Sequence, residues 1–318
     1  MDTLIIMLKN VIIFVLLAVP GYLLVKGKIL ESKGSAPMSG LLTYVGMPFL
    51  ILSSTLKLEF SGEFTRALLF AGGMGIVFTV LMFFAAAFLT RRETEEKRRA
   101  MMRFCMVFAN NGFIGIPLGR AVFGEASPVM AYLIILNIIT NVLMFSLGVR
   151  LISGDKRIVN MKKAVLNPVL IAFLVGIALN LAKVTEILPE VQTYATHFSN
   201  IVTPLSMVIL GMKLAQLPFG RIFGQWRMYY VSAVRLVIFP VLGVATMLLL
   251  SRLPGLPMGK DTVIAFFIAL SVPTAGLASV FSDQYHGDTE NAVTFTLGTT
   301  ILSVATIPVL YWLLGMMI

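Results

Sequence analysis

Apolar runs of about 20 residues recur along this chain, and a helix of that length crosses the ~30 Å hydrocarbon core of a membrane. The composition agrees, because 58% of the 318 residues are hydrophobic and only 13% are charged. A soluble domain has roughly 45–50% apolar and about 25% charged residues. The sequence therefore predicts an all-α polytopic membrane protein.

We place ten transmembrane helices on these runs, an even number that leaves both termini on one face of the membrane. Their approximate bounds are 5–25, 38–56, 66–90, 101–121, 128–151, 165–182, 198–217, 228–251, 261–281 and 290–316. The first run has no basic leader before it and no small-residue cleavage site after it. We therefore interpret it as a retained first span rather than a signal peptide.

The basic residues indicate the orientation. Most of the 25 Lys and Arg residues lie in the odd-numbered loops, above all in "RRETEEKRRAMMR" and "SGDKRIVNMKKAV". Because cytoplasmic loops are enriched in Lys and Arg, this pattern predicts a multi-pass protein of the cell membrane with both termini extracytoplasmic. The net charge of +10 then belongs to loops beside membrane lipid, and no nucleic-acid partner is expected.

The chain divides into two halves of five spans each. We predict a first repeat at 1–151, a cytoplasmic linker at 152–164 and a second repeat at 165–318. Because five is odd, the second half enters the membrane inverted relative to the first. Weak internal similarity agrees, since "MPFLILSSTLKLEF" of span 2 can be laid over "MVILGMKLAQLPF" of span 7.

Spans 4 and 9, the fourth of each half, are interrupted by residues that disfavour helix. Span 4 contains "NNGFIGIPLG", with Gly112, Gly115 and Pro117, and span 9 contains "ALSVPTAGLASVF", with Pro273 and Gly276. Proline cannot donate a backbone hydrogen bond, and glycine permits backbone conformations that other residues resist. Broken spans at matching positions of inverted halves indicate a transporter's binding site, although a single proline in a membrane helix is commonly only a kink.

If the two breaks cross near the midplane, they bring four half-helix ends together. The N-terminal ends offer free amides and about half a positive charge each, which suits an anion such as a carboxylate. The carbonyls at the C-terminal ends could hold a cation. The side chains of Asn110, Asn111 and Thr274 add donors and acceptors.

These motifs resemble those of the auxin efflux carrier family, and the resemblance covers nearly the whole chain. The stretches that carry it are "NNGFIGIPLG", "VPTAGLASVFSDQYHGD", "PLSMVILGMKLA" and "VRLVIFP". The resemblance implies two inverted five-helix repeats with crossing, broken helices 4 and 9. It also implies a scaffold of helices 1, 2, 6 and 7 and a moving transport domain of helices 3–5 and 8–10 in an elevator-type cycle.

The resemblance also suggests roles for particular residues. Asn110 matches the family's substrate-contacting asparagine, and Pro117 and Pro273 match its crossover prolines. The long central loop of the plant members is replaced by about a dozen residues, as in compact bacterial members, some of which carry malate or malonate. The implied substrate is thus an auxin-like aromatic carboxylate or a carboxylate of the malate or malonate type, and a homodimer is expected.

Few other polar residues lie within the spans. Arg235 in span 8 is either a functional charge or a structural clamp on helix-end carbonyls. Asn137 and Asn141 share one face of span 5 and either line the cavity or bond neighbouring helices. No carboxylate lies mid-span, which disfavours proton coupling through a buried acid but leaves a Na⁺ site of carbonyls, Asn and Thr open.

The sequence favours a secondary carrier for small organic anions over two other classes. An enzyme is not expected, since the chain contains no HExxH, no GxSxG and no pair of mid-span acids, and we expect no cofactor and no metal. A channel or receptor, the alternative, would need a continuous polar stripe or a soluble domain, and the sequence has neither.

Overall fold

The computed structural model describes residues 2–31, 34–154, 168–215 and 219–317. Over these ranges the chain forms helices and no strand beyond one isolated bridge between two residues. We number the principal helices after the predicted spans. They are α1 Asp2–Lys26, α2 Pro37–Leu56, α3 Gly62–Leu89, α4a Glu96–Val107, α4b Ile116–Phe123, α5 Pro128–Ser153, α6 Pro168–Leu181, α7 Glu190–Leu214, α8 Trp226–Leu250, α9a Lys260–Ser271, α9b Ala278–Gln284 and α10 Thr289–Gly315.

Six of these helices, α2, α3, α5, α7, α8 and α10, are long and apolar enough to cross a membrane. The other predicted spans fall on α1, on α6 and on the two interrupted segments. The prediction of an all-α, multi-pass membrane protein is therefore confirmed. Of the predicted linker at 152–164, residues 155–164 lie outside the part of the chain that the structure describes.

Several helices contain a π-helical turn, in which one extra residue is accommodated without a break. These turns are Leu42–Gly46, Asn111–Gly115, Met144–Gly148 and Val234–Ile238. Such turns are rare and occur frequently at functional sites, because the extra residue redirects the side chains around it. The last of them contains Arg235.

The chain folds as two compact units, and each unit draws on both halves of the sequence. The first unit consists of Met1–Phe60, Gly112–Ile134 and Leu166–Pro218. The second consists of Ser61–Asn111, Ile135–Val165 and Phe219–Ile318.

Small residues allow the helices of the first unit to pack closely. A Cβ atom on Gly211 of α7 would overlap the carbonyl oxygen of Ala18 in α1, and one on Gly21 would overlap that of Val208. Helix α6 packs on α2 in the same way, where a Cβ on Gly176 would lie 2.8 Å from a side-chain atom of Thr55. The first helix of each half therefore packs on the second helix of the other half.

A buried carboxylate organises one end of the first unit. Glu125, in the turn between α4b and α5, pairs with Lys57 and Arg120 and accepts a 3.1 Å hydrogen bond from the hydroxyl of Ser199. Its side chain is only 10% exposed. Burial alone raises the pKa of Glu125, but the hydrogen bond from Lys57 and the positive charge of Arg120 outweigh burial and leave the pKa below its ordinary value.

An ion-pair cluster also closes one end of the second unit. Arg227, in the first turn of α8, donates a 2.6 Å hydrogen bond to Glu93 in the loop after α3, and Arg98 lies within 3.3 Å of the same carboxylate. Tyr230 donates a 3.0 Å hydrogen bond to the carbonyl of Leu89. Burial raises the pKa of Glu93, but its hydrogen bond with Arg227 and the neighbouring positive charges lower the pKa by more than burial raises it. The pKa of Glu93 therefore lies below its ordinary value.

Candidate functional site

The first interrupted span breaks at residues 108–110. Helix α4a ends at Val107, and Phe108 has an extended backbone with φ −93° and ψ 119°. The chain returns to helical geometry at Asn111 in a π-turn that continues into α4b. The break thus covers Phe108, Ala109 and Asn110, the first asparagine of "NNGFIGIPLG", and helix resumes at the second.

Pro117 does not lie in this break, contrary to the expectation from the sequence. It lies in α4b, which continues from the π-turn Asn111–Gly115, so a full helical turn separates Pro117 from the break. Gly115 has ordinary right-handed helical angles, with φ −63° and ψ −52°. Neither Gly112 nor Gly276 has a positive φ. The glycines are therefore not used for a left-handed backbone here.

The second interrupted span breaks at residues 272–277, and here the proline does lie in the break. Helix α9a ends at Ser271, and Val272 is extended with φ −70° and ψ 152°. Pro273 follows, fully within the extended segment, and α9b begins at Ala278. Because proline disfavours helical geometry in the residue before it, Pro273 explains why α9a ends where it does.

The two extended segments pair with each other in antiparallel fashion, within the second unit. Ala109 lies opposite Thr274. The amide of Asn110 donates a 2.8 Å hydrogen bond to the carbonyl of Pro273, and the amide of Ala275 donates one of 2.8 Å to the carbonyl of Phe108. This pairing satisfies backbone groups that would otherwise be left bare at membrane depth.

Side chains complete the junction. Thr274 is fully buried; its hydroxyl donates a 2.8 Å hydrogen bond to the carbonyl of Cys105, and its amide donates one of 3.2 Å to the hydroxyl of Thr299 in α10. The amides of Asn110, Thr274 and Ala275 thus already have protein acceptors. These three amides belong to the extended segments rather than to the N-terminal ends of the half-helices, and they are not free to bind an anion.

Arg235 lies at the same junction. It is completely buried in the π-turn of α8 and donates to the carbonyls of Val272 at 3.1 Å and Ala269 at 3.2 Å. It also donates to the carbonyls of Val107 at 3.3 Å and Met106 at 3.4 Å. These four carbonyls belong to the last turns of α4a and α9a and the residue that follows, so Arg235 joins the C-terminal ends of both half-helices.

A narrow recess opens beside this junction, inside the second unit. The cavity within it is small, with a volume of about 20 Å³. Its polar lining consists of Thr79, Asn111, Thr140 and Arg235, and its apolar lining consists of Gly75, Phe78, Met82, Val107, Ala109, Leu136, Phe266, Ala269 and Leu270.

Asn111 is the amide side chain of this recess. It is 2% exposed, and its Nδ2 donates to the hydroxyl of Thr140 across 3.5 Å. Its Oδ1 has no hydrogen-bond partner among the residues that the structure describes. Since rotation of the amide group exchanges donor and acceptor, Asn111 can offer either to a ligand.

The structure places the other predicted site residues as follows. Asn110 is half-buried beside Pro273 at the junction. Asn141 donates a 3.4 Å hydrogen bond to Asn137, which is 2% exposed, and neither lines the recess. Gly112 and Pro117 belong to the first unit.

Sequence reasoning missed three threonines of this region. Thr140 lies in "NIITN", between the two asparagines that the sequence analysis singled out, and that spacing was the only available signal. Thr79 and Thr299 lie in apolar runs that read as ordinary spans, and each hydroxyl also bonds its own helix. Only the fold shows that Thr299 contacts the second break.

The chain is similar to known membrane transport proteins. The model of a family described as "Membrane transport protein" matches the chain twice, over residues 5–157 and 155–311. A Methanothermobacter thermautotrophicus protein named "Uncharacterized transporter" is 28% identical over 301 residues, which cover 94% of each chain. A Rhizobium meliloti protein named "Putative malonate transporter" is 26% identical over 310 residues, 92% of this chain and 91% of the relative. These names indicate a transporter rather than an enzyme, and the chain belongs to this auxin efflux carrier-like family of membrane transport proteins.

Proposed function

We propose that this protein is a secondary transporter that carries a small organic anion across the cell membrane by an elevator-type alternating-access mechanism. The observation that carries the proposal is the recess of the second unit, whose lining includes both the fully buried Arg235 and Asn111. No carboxylate of the described residues lies within ion-pair distance of Arg235.

The chemistry of the recess suits an anion. A buried charge is costly unless it is paired or well hydrogen-bonded, and the guanidinium here is compensated only by carbonyl dipoles. A carboxylate entering the recess would add the missing negative charge. The amide of Asn111 and the hydroxyls of Thr140 and Thr79 could hydrogen-bond the rest of the ligand.

The dimensions favour a small substrate. The cavity inside the recess measures only about 20 Å³, which is room for about one water molecule, so the recess has to widen to admit any substrate. A carboxylate of the malate or malonate type needs less widening than a larger anion, and the name of the Rhizobium meliloti relative supports this choice. Phe78 and Phe266, whose ring centroids lie 5.6 Å apart, provide an apolar wall that would suit an auxin-like aromatic carboxylate.

The architecture supports the inverted repeat and the elevator. The family model matches each half of the chain separately. The packing of α1 on α7 and of α6 on α2 is equivalent under an exchange of the two halves. The first compact unit contains α1, α2, α6 and α7, the proposed scaffold, together with α4b and the start of α5. The second contains α3, α8, both halves of span 9 and α10, which belong to the proposed transport domain.

The orientation and assembly belong to the same proposal. The concentration of basic residues in odd-numbered loops supports an orientation with both termini extracytoplasmic. A homodimer in the membrane is part of the proposal through the family resemblance alone, and cross-linking in native membranes would test it.

Counterflow in proteoliposomes tests the function. Purified protein is reconstituted into liposomes loaded with unlabelled malonate, and uptake of labelled malonate is measured with malate and indole-acetate as competitors. We expect saturable uptake. Asn111→Ala should reduce it about tenfold or more, because a hydrogen bond to a charged group contributes about 1.5–3 kcal/mol.

The control is Thr246→Ala in α8, since that exposed hydroxyl bonds only the carbonyl of Leu242 in its own helix. Its uptake should equal that of the wild type. Conductance that does not saturate with substrate would identify a channel, and binding without uptake would identify a receptor. Either result would overturn the transporter.

A further inference from the structure

The contacts of Arg235 place a positive charge between the ends of two half-helices. Its three guanidinium nitrogens donate to four carbonyls, at distances of 3.1 to 3.4 Å. Two of these carbonyls end α4a, and the other two belong to the end of α9a and to Val272 just after it. A guanidinium has five N–H groups, so that one remains beyond these four bonds.

This is the place where a carrier with broken helices would bind a coupling cation. The C-terminal end of a helix carries about half a negative charge, so two such ends together attract about one full positive charge. In carriers with discontinuous helices, half-helix C-terminal ends and unwound carbonyls coordinate Na⁺ or H⁺. The sequence is compatible with such a Na⁺ site, built from backbone carbonyls, Asn and Thr.

We propose that Arg235 is a resident cation that takes the place of a coupling ion, so that transport by this protein does not require Na⁺. This inference rests on the proposed transport function. The guanidinium already occupies the carbonyls that a Na⁺ ion would need as ligands, and its charge repels a second cation. Arg235 also lines the recess, so the same charge faces the substrate anion.

The proposal makes Arg235 a positioning residue with a second, electrostatic task. It holds the ends of α4a and α9a at a fixed separation. It also supplies the positive charge that a coupling cation would otherwise supply at these carbonyls. A purely structural clamp would do the first task only. The structural role and the electrostatic role differ in how Na⁺ should affect the transport rate and the unfolding temperature, and both quantities can be measured.

Two measurements on the wild type decide the matter. Malonate counterflow is measured in Na⁺, K⁺ and N-methylglucamine buffers of equal ionic strength, and thermal unfolding of the detergent-solubilised protein is measured in the same salts. We expect equal rates and equal unfolding temperatures in all three. A rate or an unfolding temperature that rises and saturates with Na⁺ would overturn the proposal.

The unfolding measurement distinguishes a failure of the proposed transport function from a failure of the resident-cation proposal. If no malonate, malate or indole-acetate is transported in any buffer, the proposed function fails. The comparison of unfolding temperatures in Na⁺ and K⁺ still tests whether Na⁺ binds. Stabilisation by Na⁺ alone would overturn the resident-cation proposal even in a protein that transports.

Chemical rescue tests the residue itself. Arg235→Ala should lower both the counterflow rate and the unfolding temperature, and millimolar guanidinium should restore both in part. Urea at the same concentration, which has a similar shape but no charge, should restore neither. Equal effects of guanidinium and urea would overturn the proposal.

Two further variants complete the design. If Arg235→Ala does not fold, Arg235→Lys replaces it, because lysine keeps the charge but cannot reach all four carbonyls. This variant should unfold at a lower temperature and remain independent of Na⁺; a gain of Na⁺-dependent transport would contradict the proposal. Thr246→Ala, in the same helix with an exposed side chain, should behave like the wild type in every salt.

Discussion

The hydroxyl of Thr274 donates a 2.8 Å hydrogen bond to the carbonyl oxygen of Cys105, a residue 169 positions earlier in the chain. Both groups are fully buried. This contact ties the second break to the last turn of α4a, next to the pairing of Ala109 with Thr274. The two interruptions therefore form one junction in which each supplies hydrogen-bond partners to the other.

Removal of the Thr274 hydroxyl should destabilise this junction. Thr274→Val keeps the shape of the side chain but leaves the buried Cys105 carbonyl without this donor. We expect a loss of about 1–3 kcal/mol of stability, measured as a lower unfolding temperature in detergent. Thr246→Val, at an exposed threonine, is the control, and equal unfolding temperatures for the two variants would contradict the role of the contact.

The two prolines should respond differently to substitution, because only Pro273 lies in a break. Pro273→Ala should destabilise the protein by about 0.4–1 kcal/mol, since alanine leaves the unfolded chain freer and lets α9a extend into the break. Malonate counterflow should fall with it. Pro117→Ala should retain the wild-type rate, because Pro117 lies in the helix that continues from the π-turn and alanine is a good helix former. A larger loss of malonate counterflow in Pro117→Ala than in Pro273→Ala would show that a proline's position in the break does not determine its contribution to transport.

Stability should depend on pH through Glu125. Because its pKa is lowered in the folded protein, the unfolded chain binds more protons in acid than the folded protein does. The contribution of Glu125 is therefore fully present above the ordinary glutamate pKa of 4.5 and is lost as the pH falls through the lower, folded value. Glu125→Gln should lower the unfolding temperature at neutral pH and flatten the dependence on acid.

The control for this experiment is Glu31→Gln, since Glu31 is exposed. Its curve of unfolding temperature against pH should overlay that of the wild type. If Glu125→Gln gave the same curve as the wild type, the ion pairs with Lys57 and Arg120 would not contribute to stability.

Two glycine substitutions should have opposite effects. Gly211→Ala brings a Cβ atom onto the carbonyl of Ala18, so α1 and α7 would have to separate at a cost of about 1–3 kcal/mol or more. Gly73→Ala in α3 meets no atom within 4 Å and adds helix propensity. We expect a low yield of monodisperse protein for the first variant and a wild-type yield for the second, measured by size-exclusion chromatography in detergent. A normal yield and unfolding temperature for Gly211→Ala would argue against the close helix contact.

The sequence by itself determined the helices and the location of the breaks to within a few residues. Apolar runs must form helices in a membrane because no water is available for backbone groups, and "NNGFIGIPLG" and "SVPTAG" stand out from such runs by composition alone. It did not reveal that the first break lies at residues 108–110 rather than at Pro117, because a membrane helix tolerates proline within the helix as well as in a break.

The tertiary structure alone decided what the breaks do. Arg235 bonds carbonyls 34 to 129 positions away, and Thr274 bonds Cys105 and Thr299. Every residue has a carbonyl group, so no sequence pattern identifies the four carbonyls that accept hydrogen bonds from Arg235. Which amides remain free for an anion likewise depends on the pairing of two distant segments, and that pairing exists only once the helices have packed.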